Sequence, residues 1–251
     1  MNAFQVCGYS QCGKTTLMKE LISRFHADGE RVASIKDIHF EDFRMDEPGK
    51  NTYIHMEAGA DPVVARGIKE TDFLYNHRME FQDIVPRIAA DWLMVEGFAS
   101  FPLPKIVCGK TETDVDEFLD RRTFAISGIF AGGRDEYKSI PVFDVNDPDR
   151  MQELVKLTRQ KVFPLLPYVD DGCCKLCGLT CGEMVEAIIQ GEKSYSDCKI
   201  GSNSIHLKIG SRDVAMVPFV QNLLKSNVLA VVSEMHGWQP GQPVEVVIDA
   251  K

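Results

Sequence analysis

Eight residues near the start of the chain, Gly8-Tyr-Ser-Gln-Cys-Gly13-Lys14-Thr15, fit the spacing G-x-x-x-x-G-K-[ST] between two segments of different periodicity. Upstream, Phe4 to Cys7 is a short apolar run suited to a buried strand. Downstream, Leu17, Leu21, Ile22 and Phe25 recur at helical spacing. A strand, a glycine loop and a helix in that order let successive amides turn inward as an anion nest, which the positive end of the helix reinforces. Lys14 adds a point charge for β and γ phosphates, Thr15 a hydroxyl for Mg²⁺, and Thr16 stands by the α phosphate. Gly8, Ser10, Gln11, Cys12 and Gly13 complete the cradle, Cys12 as a small loop residue. The ligand expected there is GTP or ATP.

Further strand candidates follow at Arg31 to Ile35, Asp91 to Val95, Lys105 to Cys108, Phe124 to Ile129 and Pro141 to Phe143, and Pro148 to Val162 reads as a closing helix. Runs apolar throughout belong to strands covered on both faces, so the expected fold is α/β, a P-loop NTPase with a mostly parallel sheet wrapped by helices. A magnesium site on such a sheet needs a carboxylate at the C-terminal end of a strand. Glu96, after Asp91-Trp-Leu-Met-Val, is the first candidate, for the metal or for the attacking water, and Asp37, after Ser34-Ile-Lys, is the second. Lys14, Glu96 and Asp37 form the candidate catalytic set. Asp144 and Asp147 could accept from a guanine base, although Asp147 directly precedes Pro148 and suits a helix cap better.

Around Phe163 to Gly172 prolines, a glycine and aspartates interrupt the pattern, which places a boundary between residues 1–168 and a small α+β cysteine-rich domain, 169–251. Within it, Gly182 to Gln190 and Val217 to Val232 read as helices, and Ile205 to Ile209 and Val244 to Ile248 as strands. Five of the eight cysteines fall here: Cys173, Cys174, Cys177, Cys181 and Cys198. Three thiols on one tight segment, Cys174, Cys177 and Cys181, with a remote fourth, Cys198, follow the ligand logic of a [4Fe-4S] cluster. Zn²⁺ bound by four thiolates is the alternative, and Cys173 is spare or replaces Cys174. Over about 30 residues the segment resembles iron-sulfur regions of anaerobic redox and corrinoid proteins.

A net charge of -9 and a pI near 5.2 argue against binding built on polyphosphate backbones, so no nucleic-acid partner is expected. No apolar stretch approaches the roughly 20 residues a membrane span needs, and the first residues lack a signal-like run. A cytoplasmic protein without membrane attachment is the expectation, its cysteines thiols or metal ligands.

In order along the chain, GYSQCGKTTL, SIKDIHF, PGKNTYIHMEAGA, DWLMVEGF and PVFDVNDPD resemble the MobB family, over about residues 1 to 165. The resemblance implies a weakly GTP-hydrolysing accessory protein of molybdenum-cofactor guanylylation, partnered by the guanylyltransferase that joins GMP to molybdopterin or by a target molybdo- or tungsto-enzyme. It departs from the family at Asn51 and Ile54, where the family carries Asp and Arg, and at Asp37 and His39, where the family pairs histidines. Gly49 to Thr52 reads as a flexible loop with a cation and a hydroxyl that could close over an anion, with His55 and Arg66 downstream. Guanine's usual Asn-Lys-x-Asp is absent, so GTP rests on the resemblance. No arginine finger is evident, and a homodimer could supply one. Two further readings stand beside the slow GTPase: a nucleotide-dependent metallochaperone or iron-sulfur carrier for an anaerobic metalloenzyme, and a binding adaptor that never turns over.

Overall fold

The computed structural model describes residues 1–40, 43–97, 101–167, 176–200, 205, 207–209, 212–214, 216, 218–239 and 244–248. Elements follow in the order β1 (Asn2–Cys7), α1 (Lys14–Ala27), β2 (Val32–Lys36), α2 (Asn51–Glu57), β3 (Val63–Arg66), β4 (Thr71–Leu74), α3 (Phe81–Ile84), β5 (Trp92–Glu96), β6 (Lys105–Cys108), α4 (Glu112–Phe118), β7 (Thr123–Ser127), β8 (Glu136–Tyr137), β9 (Ile140–Pro141) and α5 (Pro148–Lys161). Beyond these lie α6 (Cys181–Ile189), β10 (Leu207–Ile209), β11 (Arg212–Val214) and α7 (Pro218–Val232).

Five strands form one sheet in the order β2-β5-β1-β6-β7, every neighbouring pair parallel. β1 is central. From it the chain goes out to β2 at the edge, returns to β5 beside β1, and then crosses to β6 and β7 on the other side, so the direction of winding reverses at the β1/β6 boundary. Ligands of open parallel sheets collect outside the carboxyl ends of the strands at such a reversal. The glycine loop leaves β1 at that point.

Both faces of β5, β1, β6 and β7 are buried, which is why these strands are largely apolar rather than alternating, whereas the edge strand β2 is half-buried and exposes Ser34 and Lys36. On one face Phe4, Phe25 and Trp92 meet edge to face, with centroids 6.5 Å apart for Phe4 and Trp92 and 4.7 Å for Phe25 and Trp92. Leu17, Met18, Leu21 and Phe25 are the buried stripe of α1, and each fully buried large side chain contributes about 1.5–3 kcal/mol. On the opposite face Ala3, Leu93, Val95, Leu103 and Phe81 pack together, and Cys7, Val107, Val115, Ile126, Phe130 and Val142 form a second cluster.

Several expectations need correction. The run at Pro141 to Phe143 is no sixth strand: Ile140–Pro141 pairs antiparallel with β8, and Val142 makes a single parallel bridge to Ile126. Val244 to Ile248 is not a strand; its apolar residues are exposed, Ile248 at 82%, because alternation alone cannot form a strand without an edge to pair with. The β3–β4 hairpin had no turn dipeptide of the usual kind to announce it.

By compactness the chain divides into Met1–Leu165 with Val185–Glu192, and Leu166–Met184 with Lys193–Lys251. The expected boundary at 168/169 lies outside the described residues, as do Cys173 and Cys174. Residues 185–192 belong with the first unit: Lys161 Nζ donates to the Ile189 carbonyl at 3.0 Å, and Gln190 Nε2 to the Arg121 carbonyl at 2.7 Å. In the second unit β10 and β11 form an antiparallel pair. No described helix is long and apolar enough to cross a membrane.

Candidate functional site

The loop from Gly8 to Gly13 is shaped by what lies beneath it. Gly8 has φ 142°, and a Cβ there would lie 2.0 Å from the carbonyl oxygen of Cys108 at the end of β6. Only glycine lets β1 hand over to the loop so close to the neighbouring strand. Gly13 caps α1 in the left-handed region, at φ 101° and without a side chain to satisfy the first turn. The leading N–H groups of the helix, which have no intrahelical acceptor, are thus left for an anion. Tyr9 is tethered to α4, its hydroxyl donating to Glu117 and its ring standing edge-on to Phe118 at 5.1 Å. Ser10 and Gln11 are exposed at the rim.

Lys14 Nζ donates to the loop's own carbonyls, Gly8 at 2.9 Å and Tyr9 at 2.6 Å, so the ammonium already sits over the ring of amides. Thr15 Oγ1 donates to the Glu96 carboxylate at 3.1 and 3.2 Å. This contact joins the start of α1 to the end of β5 across 81 residues, and the Glu96 side chain is 11% exposed. Lys36 Nζ stands 3.4 Å from the same carboxylate. Thr16 begins the exposed side of α1. The loop, Lys14, Thr15 and Glu96, proposed together from the sequence, are therefore one constellation in space.

Asp37 is placed differently. Its amide donates to the Glu96 carbonyl at 2.9 Å, while its carboxylate meets Arg78 at 3.2 Å and His39 at 3.4 Å. Asp147 and Asp144 serve local structure: Asp147 Oδ1 accepts from the amides of Asp149 and Arg150, and Asp144 Oδ1 from those of Asn146. Asp147 is thus a helix cap rather than a reader of a base. Gly49 to Thr52 is not wholly a loop, because Asn51 and Thr52 open α2 with Lys50 as its N-cap. Lys50 is paired with Glu47 at 3.3 Å. His55 rides on α2 and Arg66 ends β3.

Two residues essential to the loop's shape escape the motif. Gly128, after β7, has φ 86°, and a Cβ there would lie 2.3 Å from the Cys12 carbonyl oxygen. The next amide, Ile129 N, donates to that same oxygen at 3.1 Å. Cys108 lies beneath, its carbonyl oxygen 2.0 Å from where a Cβ on Gly8 would stand. The Cys108 side chain, with the charge of Lys14, holds Cys12 below the usual thiol range despite burial. The Cys12 side chain and burial push Cys108 up. Burial likewise raises Cys7, to about 11. A lone glycine at a strand end was the only signal for Gly128.

In the cysteine segment Cys177 and Cys181 are half-buried and Cys198 is buried. Cys177 Sγ donates to the Leu179 carbonyl at 3.5 Å, and Cys198 follows a short turn, Tyr195–Asp197, closed by a Ser194–Asp197 capping box. Among the described residues no three Cys, His, Asp or Glu side chains are placed to hold a metal together. Cys174, the remaining expected ligand, lies outside the described residues.

A parallel five-stranded sheet, a glycine loop at its winding reversal and a lysine-threonine pair opening the next helix define a P-loop α/β protein. The family model for molybdopterin guanine dinucleotide synthesis protein B matches residues 3–129, and the chain belongs to this MobB family. A molybdopterin-guanine dinucleotide biosynthesis adapter protein of Methanocaldococcus jannaschii is 27% identical over 256 residues, 99% of this chain and 98% of the relative. The adapter of Haemophilus influenzae is 31% identical over 131 residues, 45% of this chain and 69% of the relative. Among solved structures, Bacillus subtilis MobB superposes with a TM-score of 0.54 at 22% identity, covering 62% of this chain and 98% of that one.

Proposed function

We propose that the chain binds a nucleoside triphosphate, GTP before ATP, together with Mg²⁺ at the Gly8–Thr16 loop, and serves as an adapter in molybdopterin- or tungstopterin-guanine dinucleotide biosynthesis. The hydrogen bond between Thr15 and Glu96 carries this reading. It brings the two oxygen donors a magnesium ion needs to the mouth of a loop whose amides and ammonium suit phosphate. Lys14 exchanges the Gly8 and Tyr9 carbonyls for β and γ phosphate oxygens, a move within reach of its flexible stem. Thr15 and Glu96 would hold the ion, which neutralises developing phosphate charge. Glu96 takes this role over Asp37, whose carboxylate is engaged by Arg78 and His39. No arginine donates to the loop among the described hydrogen bonds, which accords with slow hydrolysis, and a homodimer would supply the missing cation.

The MobB relatives support the pathway, and the Methanocaldococcus relative supports a shared second part, since it aligns over nearly the whole chain. The partner proposed is the guanylyltransferase that joins GMP to molybdopterin, or the enzyme that receives the product. For residues 169–251 we propose a cysteine-rich domain binding a [4Fe-4S] cluster, or Zn²⁺ in its place, through Cys174, Cys177, Cys181 and Cys198, on the strength of their spacing. Titration calorimetry with GTP and ATP, with and without Mg²⁺, tests the first half. Lys14→Ala should weaken binding at least about 30-fold, the loss of one or more charge-assisted hydrogen bonds, and phosphate release should fall to background. Equal phosphate release by both proteins would leave an adapter that does not turn over.

A further inference from the structure

The carboxylate proposed for the metal already has a cation beside it. Lys36 ends β2 and pairs in register with Glu96, the last residue of β5. Residues level with each other on neighbouring strands send their side chains to the same side of the sheet. Lys36 Nζ accordingly stands 3.4 Å from Glu96 Oε1, the oxygen that also accepts from Thr15 Oγ1 at 3.1 Å. The ammonium and the hydroxyl thus converge on one oxygen beside the mouth of the glycine loop. Asp37, next along the chain, turns its carboxylate instead to Arg78 at 3.2 Å and His39 at 3.4 Å.

Two features mark this pair as exchangeable. β2 is an edge strand, and the Lys36 side chain is 60% exposed against 11% for Glu96, so the lysine has open space to move into and the carboxylate does not. An ion pair with a solvent-exposed ammonium also stabilises the chain little. We propose that Lys36 is a movable ligand for the γ-phosphate: it neutralises Glu96 until Mg²⁺ takes that carboxylate, then moves to the γ-phosphate, and so makes the chain prefer triphosphate to diphosphate. This role rests on the nucleotide reading above.

The exchange follows from charge. A bare carboxylate at the mouth of the loop would repel an incoming polyphosphate, and Lys36 removes that repulsion. Once Thr15 and Glu96 share a divalent cation, the ammonium is repelled in its turn. The metal of such sites bridges β and γ phosphate oxygens, so the γ-phosphate offers the displaced lysine an anion. A flexible four-carbon stem with three donors lets Lys36 turn to it without backbone movement. One charge-assisted hydrogen bond made only to triphosphate corresponds to a preference of about tenfold to a hundredfold. Lys36 supplies a point charge for binding and does not replace the arginine that fast hydrolysis needs.

Calorimetry on the full chain, with Mg²⁺ and either GDP or a non-hydrolysable GTP analogue, compares wild type with Lys36→Gln and Lys36→Arg. Lys36→Gln should weaken triphosphate binding at least about tenfold and leave diphosphate binding within about twofold. Lys36→Arg, which keeps the charge, should recover most of the preference. In the wild type, acetic anhydride should label Lys36 in the free chain; Mg²⁺ with the triphosphate analogue should protect it and Mg²⁺ with GDP should not, as peptide mass spectrometry reads. A triphosphate-to-diphosphate affinity ratio in Lys36→Gln equal to that of wild type overturns the proposal and leaves a plain surface ion pair. Equal labelling of wild-type Lys36 under the two nucleotides overturns it too, and that readout survives a variant that fails to fold. Wild type that binds neither nucleotide sinks the proposed function as well, and is thereby told apart from a chain that binds both and ignores the substitution.

Discussion

Replacing Gly128 with alanine should damage a loop more than 100 residues away in sequence. Gly128 stands at φ 86° and ψ -160°, a region open in practice only to glycine, where any other residue costs about 1–3 kcal/mol. The new methyl would also lie 2.3 Å from the Cys12 carbonyl oxygen, well inside ordinary contact, and overpacking of this kind adds about 1–3 kcal/mol. The sum, about 4 kcal/mol, is a large share of a typical domain's 5–15 kcal/mol. It can be lowered only by pushing Cys12 and the amides beside it. Gly133 is the control, with φ 71° but nothing within 4 Å of an added Cβ, so Gly133→Ala should cost about 1 kcal/mol. Urea denaturation and triphosphate titration of both variants are the assays. Gly128→Ala should lose about 4 kcal/mol, or keep more of its stability by distorting the loop and bind at least about 30-fold more weakly. If the two variants unfold within about 0.5 kcal/mol of each other and both bind like wild type, the view of Gly128 as a prop for the phosphate loop is wrong.

Glu96→Gln should remove most of the Mg²⁺ dependence of nucleotide affinity while Asp37→Asn keeps it, as calorimetry with and without the ion would show, since only Glu96 meets Thr15. Asp120→Asn leaves the Lys105 ammonium, whose side chain is 7% exposed, with the Phe118 carbonyl but no counter-charge, and should cost about 2 kcal/mol at neutral pH, below the 3–5 of a fully buried pair because Asp120 is partly solvated. Burial pushes the Asp120 carboxyl up, but hydrogen bonds from Arg122 and Lys105 outweigh it and leave the group below its ordinary 3.8. A depressed carboxylate contributes stability above its unfolded value and loses it as pH falls through the folded one, so the gap between wild type and Asp120→Asn should be level from about pH 7 to 5 and close below about pH 4. Anaerobic purification should give absorption near 400 nm with iron and sulfide, lost in Cys177→Ser and Cys198→Ser; zinc without iron would replace the cluster by a zinc site.

Much of the candidate site is legible in the sequence because its signals are local. A loop that must cradle an anion needs glycines, a cation and a hydroxyl at fixed offsets, and the flanking periodicities say where the strand stops and the helix starts. Asp147 as a cap is equally readable, being settled within three residues of chain. Reading fails where a segment's fate depends on a partner. Val244 to Ile248 has the apolar content of a strand but pairs with no edge among the described residues, whereas β3 and β4, less marked in sequence, have each other.

What the amino-acid order determined by itself, then, was the glycine loop, its helix, the doubly buried strands, and the short list of carboxylates at strand ends. It ranked Glu96 ahead of Asp37 but held no sign that Glu96 meets Thr15, because that depends on β5 lying directly beside β1 while β2 stands one place further out. The same holds for the close approach of Gly128 to the Cys12 carbonyl and of Gly8 to the Cys108 carbonyl, which exist only because β6 and β7 continue the sheet on the other side of β1. Dihedral preference and periodicity act over a few residues and can be read along the chain; strand order is set by packing among distant segments, and only the folded sheet brings those side chains to one place.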